Sequence, residues 1–291
     1  MTTTSTDRVL IMRDLQAVTS DGRTLAGRST GPIDGQPVLF IAGAATGKTM
    51  TFGEHLLDEL DVRLLTMDRP GMGGSTPHSK RTLHSTVDDY RTFVAGILGT
   101  SEKSIPIVAN SQGAVFSLAM ACAGLALSLT LVSPADEIAF PAIHRMLPKE
   151  ATRLSDLAIS SPDDAREILH GFSGEAMENM VLTGSPASDV VFYTSEPFVS
   201  CYRRSLTEGF ANNGVGYVQD TLIAMRPWNL DFTQIDCPVR ILFGAEDLTH
   251  SPDHGHVLSQ RIPGASREVI PDVGGALLWK CADRILANVT T

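Results

Sequence analysis

The chain has 291 residues, 43% of them hydrophobic and 19% charged, enough apolar content to bury a full core, which excludes intrinsic disorder as its main state. With 33 acidic against 23 basic side chains its formal charge is −10, a balance that repels phosphate backbones and anionic lipid, so neither nucleic acid nor a membrane surface is expected as a partner. Cys122, Cys201, Cys237 and Cys281 are far apart, the opening MTTTSTDRVLIMRD lacks a signal peptide's apolar core, and no run reaches the roughly 18 apolar residues of a membrane span, so a cytoplasmic, disulfide-free protein is expected.

After a polar stretch over residues 2–6, segments 15–20 and 24–29 flank Asp21-Gly22, a strong hairpin-turn signal, and predict an antiparallel opening. Short apolar runs follow at 38–42, 63–67, 105–109, 129–132 and 239–243, each running into Gly, Asp, Asn or Ser. They read as strands buried on both faces, the pattern of a parallel sheet. Helix-like stretches lie between them at 50–60, 83–98 and 113–126. The alternation predicts an α/β fold, a mostly parallel, doubly wound sheet with helices on both faces. From 134 to about 236 the rhythm changes: strand-like runs give way to helical segments broken by Pro and Gly, and Ser161-Pro162-Asp163-Asp164 reads as a capped helix start. The chain therefore divides into a core of residues 1–133 and 237–291 and a helical lid over 134–236. A cover over a pocket explains why so long an insertion follows a strand end.

Ile107-Val108-Ala109-Asn110-Ser111-Gln112-Gly113 is an apolar strand ending in a serine with small residues two before and two after it. A sharp strand-to-helix turn strains the serine backbone and crowds those flanking positions, while the N-terminus of the new helix favours negative charge near Ser111 Oγ. The run resembles the nucleophile elbow of the α/β-hydrolase family, with Ala109 in place of the usual glycine. Asp68-Arg69-Pro70-Gly71-Met72-Gly73-Gly74-Ser75, about 40 residues upstream of Ser111, resembles that family's Asp-x-x-Gly-x-Gly-x-Ser loop. Leu242-Phe243-Gly244-Ala245-Glu246-Asp247, followed by Ser251-Pro252, resembles the strand that ends in Gly-x-x-Asp and carries the triad acid. Ile262-Pro263-Gly264-Ala265 through Val269-Ile270-Pro271 resembles the last strand and its lead-in, so the likeness spans roughly residues 9–290. It implies an α/β-hydrolase sheet with Ser111 as nucleophile, Asp247 in the acid position, and an oxyanion site formed by the amide of Gln112 and that of Ala44 or Ala45. Neither a cofactor nor a metal is implied.

The family pattern fails where the general base belongs. Asp272-Val273-Gly274-Gly275-Ala276 puts Gly275 at the position of the expected histidine, and loss of a triad member costs several orders of magnitude in rate. His250, three residues beyond Asp247 on a loop at the carboxyl edge of the sheet, is the candidate replacement; His144 and His170 in the insertion are further surrogates. With no imidazole at all, the helix N-terminus, backbone amides and the Ser111 hydroxyl still suit an oxyanion or enolate.

Ala42-Gly43-Ala44-Ala45-Thr46-Gly47-Lys48-Thr49 also fits a relaxed phosphate-binding loop, with Asp68 as a magnesium-binding acid. Against that reading, Ala42 replaces the first glycine, the chain is acidic, and the Ser111 junction and the Gly-x-x-Asp strand are left unexplained. His250, His254 and His256 form a His-x-x-x-His-x-His pattern, but no Asp or Cys cluster completes a metal site. Cys122 reads as a small core residue. The expected function is an enzyme acting on a small carbonyl compound: an ester, thioester, lactone or polyketide-like acyl compound. The alternatives are a lyase- or cyclase-type enzyme in which Ser111 only hydrogen-bonds the substrate, and a catalytically inactive ligand-binding protein. Fold alone does not choose among them.

Overall fold

The computed structural model of the protein describes residues 11–99 and 104–289; the polar stretch 2–6 lies outside the described residues. The Asp21-Gly22 signal produces a hairpin, in which β1 (Met12–Val18) and β2 (Thr24–Thr30) pair antiparallel with Val18 opposite Thr24. The apolar runs become β3 (Gln36–Ile41), β4 (Val62–Met67), β5 (Ile105–Ser111), β6 (Ala126–Pro134), β7 (Val239–Gly244) and β8 (Ser266–Ile270). These form one eight-stranded sheet in the order β1-β2-β4-β3-β5-β6-β7-β8. β2 meets β4 antiparallel, and every pairing from β4 across to β8 is parallel.

Successive side chains of a strand point to opposite faces. Leu39, Ile41, Ile107, Leu129 and Ile241 therefore sink into one core cluster, and Val38, Phe40, Val108, Val132 and Leu242 into another on the other face. That two-sided burial is why these strands are apolar throughout rather than alternating. α1 (Leu83–Leu98) covers the first cluster with Val87, Tyr90, Phe93 and Val94 on one helical face. Thr82 and Ser85 form a reciprocal capping box at its start, and the amide of Gly99 bonds back to Ala95 at its end. α2 (Gly113–Cys122) is apolar and buried all round.

Two expectations of helix need correction. α2 ends at Cys122, short of residue 126, because the chain turns at Gly124 to enter β6. Residues 50–60 form only a 3-10 turn over Glu54–Leu56. Their buried members Met50, Phe52 and Leu57 do not lie on one helical stripe, and Thr49 is held from outside by the Glu208 carboxylate, to which its amide donates at 2.8 Å.

Between β6 and β7 the chain is helical: α3 (Pro141–His144), α4 (Lys149–Ser160), α5 (Pro162–His170), α6 (Gly174–Gly184), α7 (Ala187–Tyr193), α8 (Phe198–Gly209) and α9 (Val215–Met225). The predicted cap of α5 is not made in the expected way. Ser161 Oγ donates to the Asp164 carboxylate at 2.6 Å instead of accepting a backbone N–H, which leaves Pro162 in the first turn as the start signal. α10 (His256–Arg261) follows β7, and α11 (Leu277–Lys280) and α12 (Ala282–Leu286) close the second cluster. Among the described residues no helix is long and apolar enough to cross a membrane, and the four cysteines are free.

Candidate active site

The chain winds from β3 outward to β4 and then crosses back to β5 on the other side of β3, so the loops leaving β3 and β5 part at their carboxyl ends and open a crevice. Ser111 ends β5 there with φ 51°, a left-handed conformation that costs a non-glycine residue roughly 1–3 kcal/mol and persists only where its surroundings over-determine it. Those surroundings are tight. Ala109 is fully buried between Ile41 of β3 and Leu131 of β6, and the sheet accommodates its methyl. Gly113 has no such room, since a methyl there would overlap the Ile41 carbonyl oxygen. Asn110 Nδ2 donates to the Val132 carbonyl at 2.9 Å and ties the strand end to β6. α2 begins two residues after Ser111, which brings the positive end of its dipole beside the hydroxyl.

A cavity of about 490 Å³ opens over this junction. Gly43, Ala44, Ser111 and Gln112 line it from the strand ends, Met177, Met180, Tyr193, Phe198 and Tyr202 from the helical segment, and Asp247, His250 and Gly275 from the loops after β7 and β8. Asp136, Glu246 and Asp247 are its carboxylates, and neither Lys nor Arg lines it.

Asp247 and His250 form a pair within one short loop. The Asp247 oxygens lie 2.9 and 3.0 Å from His250 Nδ1, and one of them also accepts from the backbone amides of Thr249 and His250 at 3.2 and 3.3 Å. Burial pushes the Asp247 carboxyl upward, but the facing imidazole and these hydrogen bonds more than reverse it and hold the group well below the usual carboxylate range. For His250 burial favours the neutral ring, and the Asp247 charge outweighs it, so its pKa is raised. Nδ1 is committed to the carboxylate, which leaves Nε2 as the nitrogen available for other chemistry.

Gly275 is not an empty socket. A Cβ built on it would lie 3.2 Å from His250 Cε1, 3.5 Å from His250 Nδ1 and 3.4 Å from the Tyr193 hydroxyl. The imidazole edge and the phenol thus fill the space above the glycine, and a side chain there would push the ring aside. The loop is pinned by Asp189, buried in the first turn of α7, which accepts from the Ala276 amide at 2.9 Å and from Lys280 Nζ at 3.3 Å. Burial, with the Asp189 and Asp247 charges behind it, raises Tyr193 well above the ordinary phenol value and keeps it a neutral donor. Asp136, which accepts from Ser251 Oγ at 2.8 Å, is raised to about 6, chiefly by burial.

On the loop after β3, the amide N–H groups of Ala44 and, across the crevice, of Gln112 have no acceptor among the described residues. Ala45 is fully buried in a cluster with helices of the insertion and does not line the cavity, so of the two alanines considered from the sequence it is Ala44 that faces it. Lys48, the anchor of the phosphate-loop reading, is already engaged: its amide donates to Asp68 at 2.6 Å and its ammonium to Asp68 and Glu208 at 3.1 and 3.2 Å. Two carboxylates where phosphates would need to sit exclude that reading.

Of the residues singled out in the sequence, Ser111, Gln112, Ala44, Asp247 and His250 meet on one cavity. His144 pairs with Asp156 at 2.9 Å away from the cavity, and His170 is exposed at the end of α5. Tyr193, Asp136 and the methionine and aromatic walls were not identified. Tyr193 sits in a helix with no motif around it, and only its chain-distant approach to Gly275 reveals it.

A family model described as the alpha/beta hydrolase family matches residues 38–283. No curated protein matches the chain. Solved structures that resemble it include a bromoperoxidase from Bacillus anthracis (TM-score 0.69, 16% identity, 95% of this chain and 98% of that chain). A thermophilic esterase from Thermogutta terrifontis (0.65, 19%, 95% and 96%) and an enol-lactonase from Burkholderia xenovorans (0.64, 19%, 94% and 98%) do so equally over their lengths. At such identities the likeness is one of fold. Taken with the sheet order and the long matched span, it places the chain in the alpha/beta hydrolase family.

Proposed function

We propose that the protein is a serine hydrolase acting on neutral, largely apolar esters or lactones, with both the acid and the base of its triad delivered by the loop after β7. The observation that carries this reading is that Ser111 shares its cavity with the Asp247–His250 pair. Ser111 Oγ adds to the substrate carbonyl carbon while His250 Nε2 takes its proton. Asp247, on Nδ1, holds the tautomer that leaves Nε2 free and stabilises the imidazolium. The carbonyl oxygen becomes an oxyanion, to which the Gln112 and Ala44 amides donate. Collapse breaks the bond to the leaving oxygen, which takes the proton from His250. Water, giving a proton to the same nitrogen, then attacks the acyl-enzyme; collapse breaks the bond to Ser111 Oγ, which takes that proton back from His250 as the acid leaves.

The helices over 134–236 serve as the lid and set specificity. Their methionine and aromatic walls favour apolar acyl groups, and a cavity of about 490 Å³ suits a small to drug-sized molecule. Three carboxylates with neither Lys nor Arg disfavour anionic substrates, so phosphate-bearing thioesters and free acids are poor candidates within the carbonyl class. A fluorophosphonate probe tests the nucleophile. Labelling of the wild type that is lost in Ser111→Ala supports the reading; an unlabelled wild type beside a labelled control esterase overturns it.

A second reading draws on one observation, that the Tyr193 phenol and the His250 imidazole flank the same point over Gly275. A proton donor and a base so placed suit elimination, cyclisation or isomerisation, with Ser111 merely hydrogen-bonding the carbonyl. Product analysis separates the two. An isomeric or eliminated product that persists in Ser111→Ala favours the second reading, and tight binding of candidate esters without any product favours a receptor.

A further inference from the structure

Arg69 follows β4, is 1% exposed and does not line the cavity, yet its guanidinium reaches the loop after β3. Nη1 donates to the Ala42 carbonyl at 3.0 Å and Nη2 to the Gly43 carbonyl at 2.8 Å, and Thr46 Oγ1 donates to the same Gly43 oxygen at 3.0 Å. Asp220 of α9 binds Nε and also faces Arg81, and both guanidinium groups stack over the Phe116 ring of α2, 5.1 and 5.6 Å from its centre. A buried fork that does not itself line the cavity thus grips two consecutive peptide groups, braced by the helix that follows Ser111, while Thr46 holds the second carbonyl from the cavity wall.

In a trans peptide the N–H points opposite to the C=O of the same plane. Drawing the Gly43 oxygen inward onto Arg69 and Thr46 therefore turns the Ala44 N–H outward, the amide with no acceptor among the described residues on a residue that lines the cavity. A cation bonded to the carbonyl end of a peptide also polarises its N–H into a stronger donor. We infer that Arg69 is a positioning residue, which fixes and polarises the Ala44 amide as the second donor to the oxyanion. The inference rests on the hydrolase reading above. It extends that reading by explaining why an arginine occupies a site with no access to substrate, since the rotatable ammonium of lysine lacks the rigid planar fork that fixes two neighbouring carbonyls in one orientation.

The test compares an ester with its thionoester in Arg69→Lys and in Thr46→Val. Sulfur is a poor acceptor, so the thionoester draws little on an amide donor. For Arg69→Lys the ester kcat is expected to fall roughly 10- to 100-fold, the scale of losing much of one oxyanion donor, with KM within about threefold. The thionoester kcat is expected to be nearly unchanged. Affinity for a trifluoromethyl ketone, which forms the oxyanion adduct, should fall with the ester kcat, while affinity for the matching secondary alcohol holds. Thr46→Val leaves the buried charges intact and is expected to show the same pattern at roughly threefold, so the inference stays testable if Arg69→Lys does not fold. Ester and thionoester falling together, or an unchanged ester kcat in the folded variants, overturns the assignment. A wild type that hydrolyses no ester instead overturns the hydrolase reading on which it rests.

Discussion

The loop after β7, residues 245–251, brings two carboxylates, two hydroxyls and an imidazole to the sheet edge within a few residues, whereas the neighbouring loop after β8, residues 271–276, meets the cavity with Gly275. The space over the second loop is nevertheless filled, by a ring from the first and a phenol from α7. Close-packed interiors leave few such spaces empty. The contrast teaches that a functional group can reach a given point from either of two adjacent strand ends, provided the other end gives up its side chain. Here the acid and its imidazole partner lie three residues apart, and the glycine is what their ring leans on.

The comparison breaks most sharply at His250. His250→Ala is expected to lower kcat/KM for esters by about 10³-fold or more, with fluorophosphonate labelling slowed in step; a loss below tenfold would mean the loop after β7 does not supply the base. Next in size is Gly275→Val, whose branches enter the volume of the ring. A kcat loss of roughly 10- to 100-fold is expected, against a few-fold for Gly275→Ala, whose single methyl meets the ring at 3.2 Å and asks it to yield only a few tenths of an ångström. Melting temperatures close to wild type in both would place the effect in the ring's position rather than in folding.

The pH dependence sharpens the same contrast. His250 accepts a proton only when neutral, and its pKa is raised because the Asp247 charge outweighs the effect of burial. The kcat/KM profile should therefore rise with pH through an apparent pKa above 6.5, and Asp247→Asn should move that limb downward while lowering its plateau. Stability follows the opposite sense. A raised folded-state histidine pKa stabilises fully below its unfolded value near 6.5 and ceases to do so as pH climbs past the folded value, so the thermal-stability gap between wild type and Asp247→Asn should shrink from pH 6 toward pH 9. The smallest effect is expected from Tyr193→Phe. Loss of one hydroxyl beside the ring should change KM a few-fold for esters bearing a second oxygen near the carbonyl and leave simple esters unaffected, as steady-state comparison of the two would reveal.

Much of this architecture was legible because it depends on neighbours in the chain. Unbroken apolar runs separated by helix-like stretches marked the strands, and Ala109, Ser111 and Gly113 marked a junction whose crowding comes from residues two apart. The helix predicted over 50–60 failed because Met50, Phe52 and Leu57 are buried by packing that no periodicity encodes, and Thr49 is held by a carboxylate 159 residues away. His250 was visible as one of three histidines; its selection needed the distances to Asp247 and Gly275. Ala44 and Ala45 could not be separated on paper, because a turn decides which of two adjacent alanines faces inward.

The amino-acid order alone determined the strands, their two-sided burial and the small residues around Ser111, since these are short-range consequences of alternation and crowding. Tertiary structure alone decided that an imidazole leans over Gly275, that Tyr193 joins it and that Arg69 grips two carbonyls behind Ala44. Each of those contacts joins segments far apart in the chain through a few ångströms of space, and a residue pattern carries no measure of that distance.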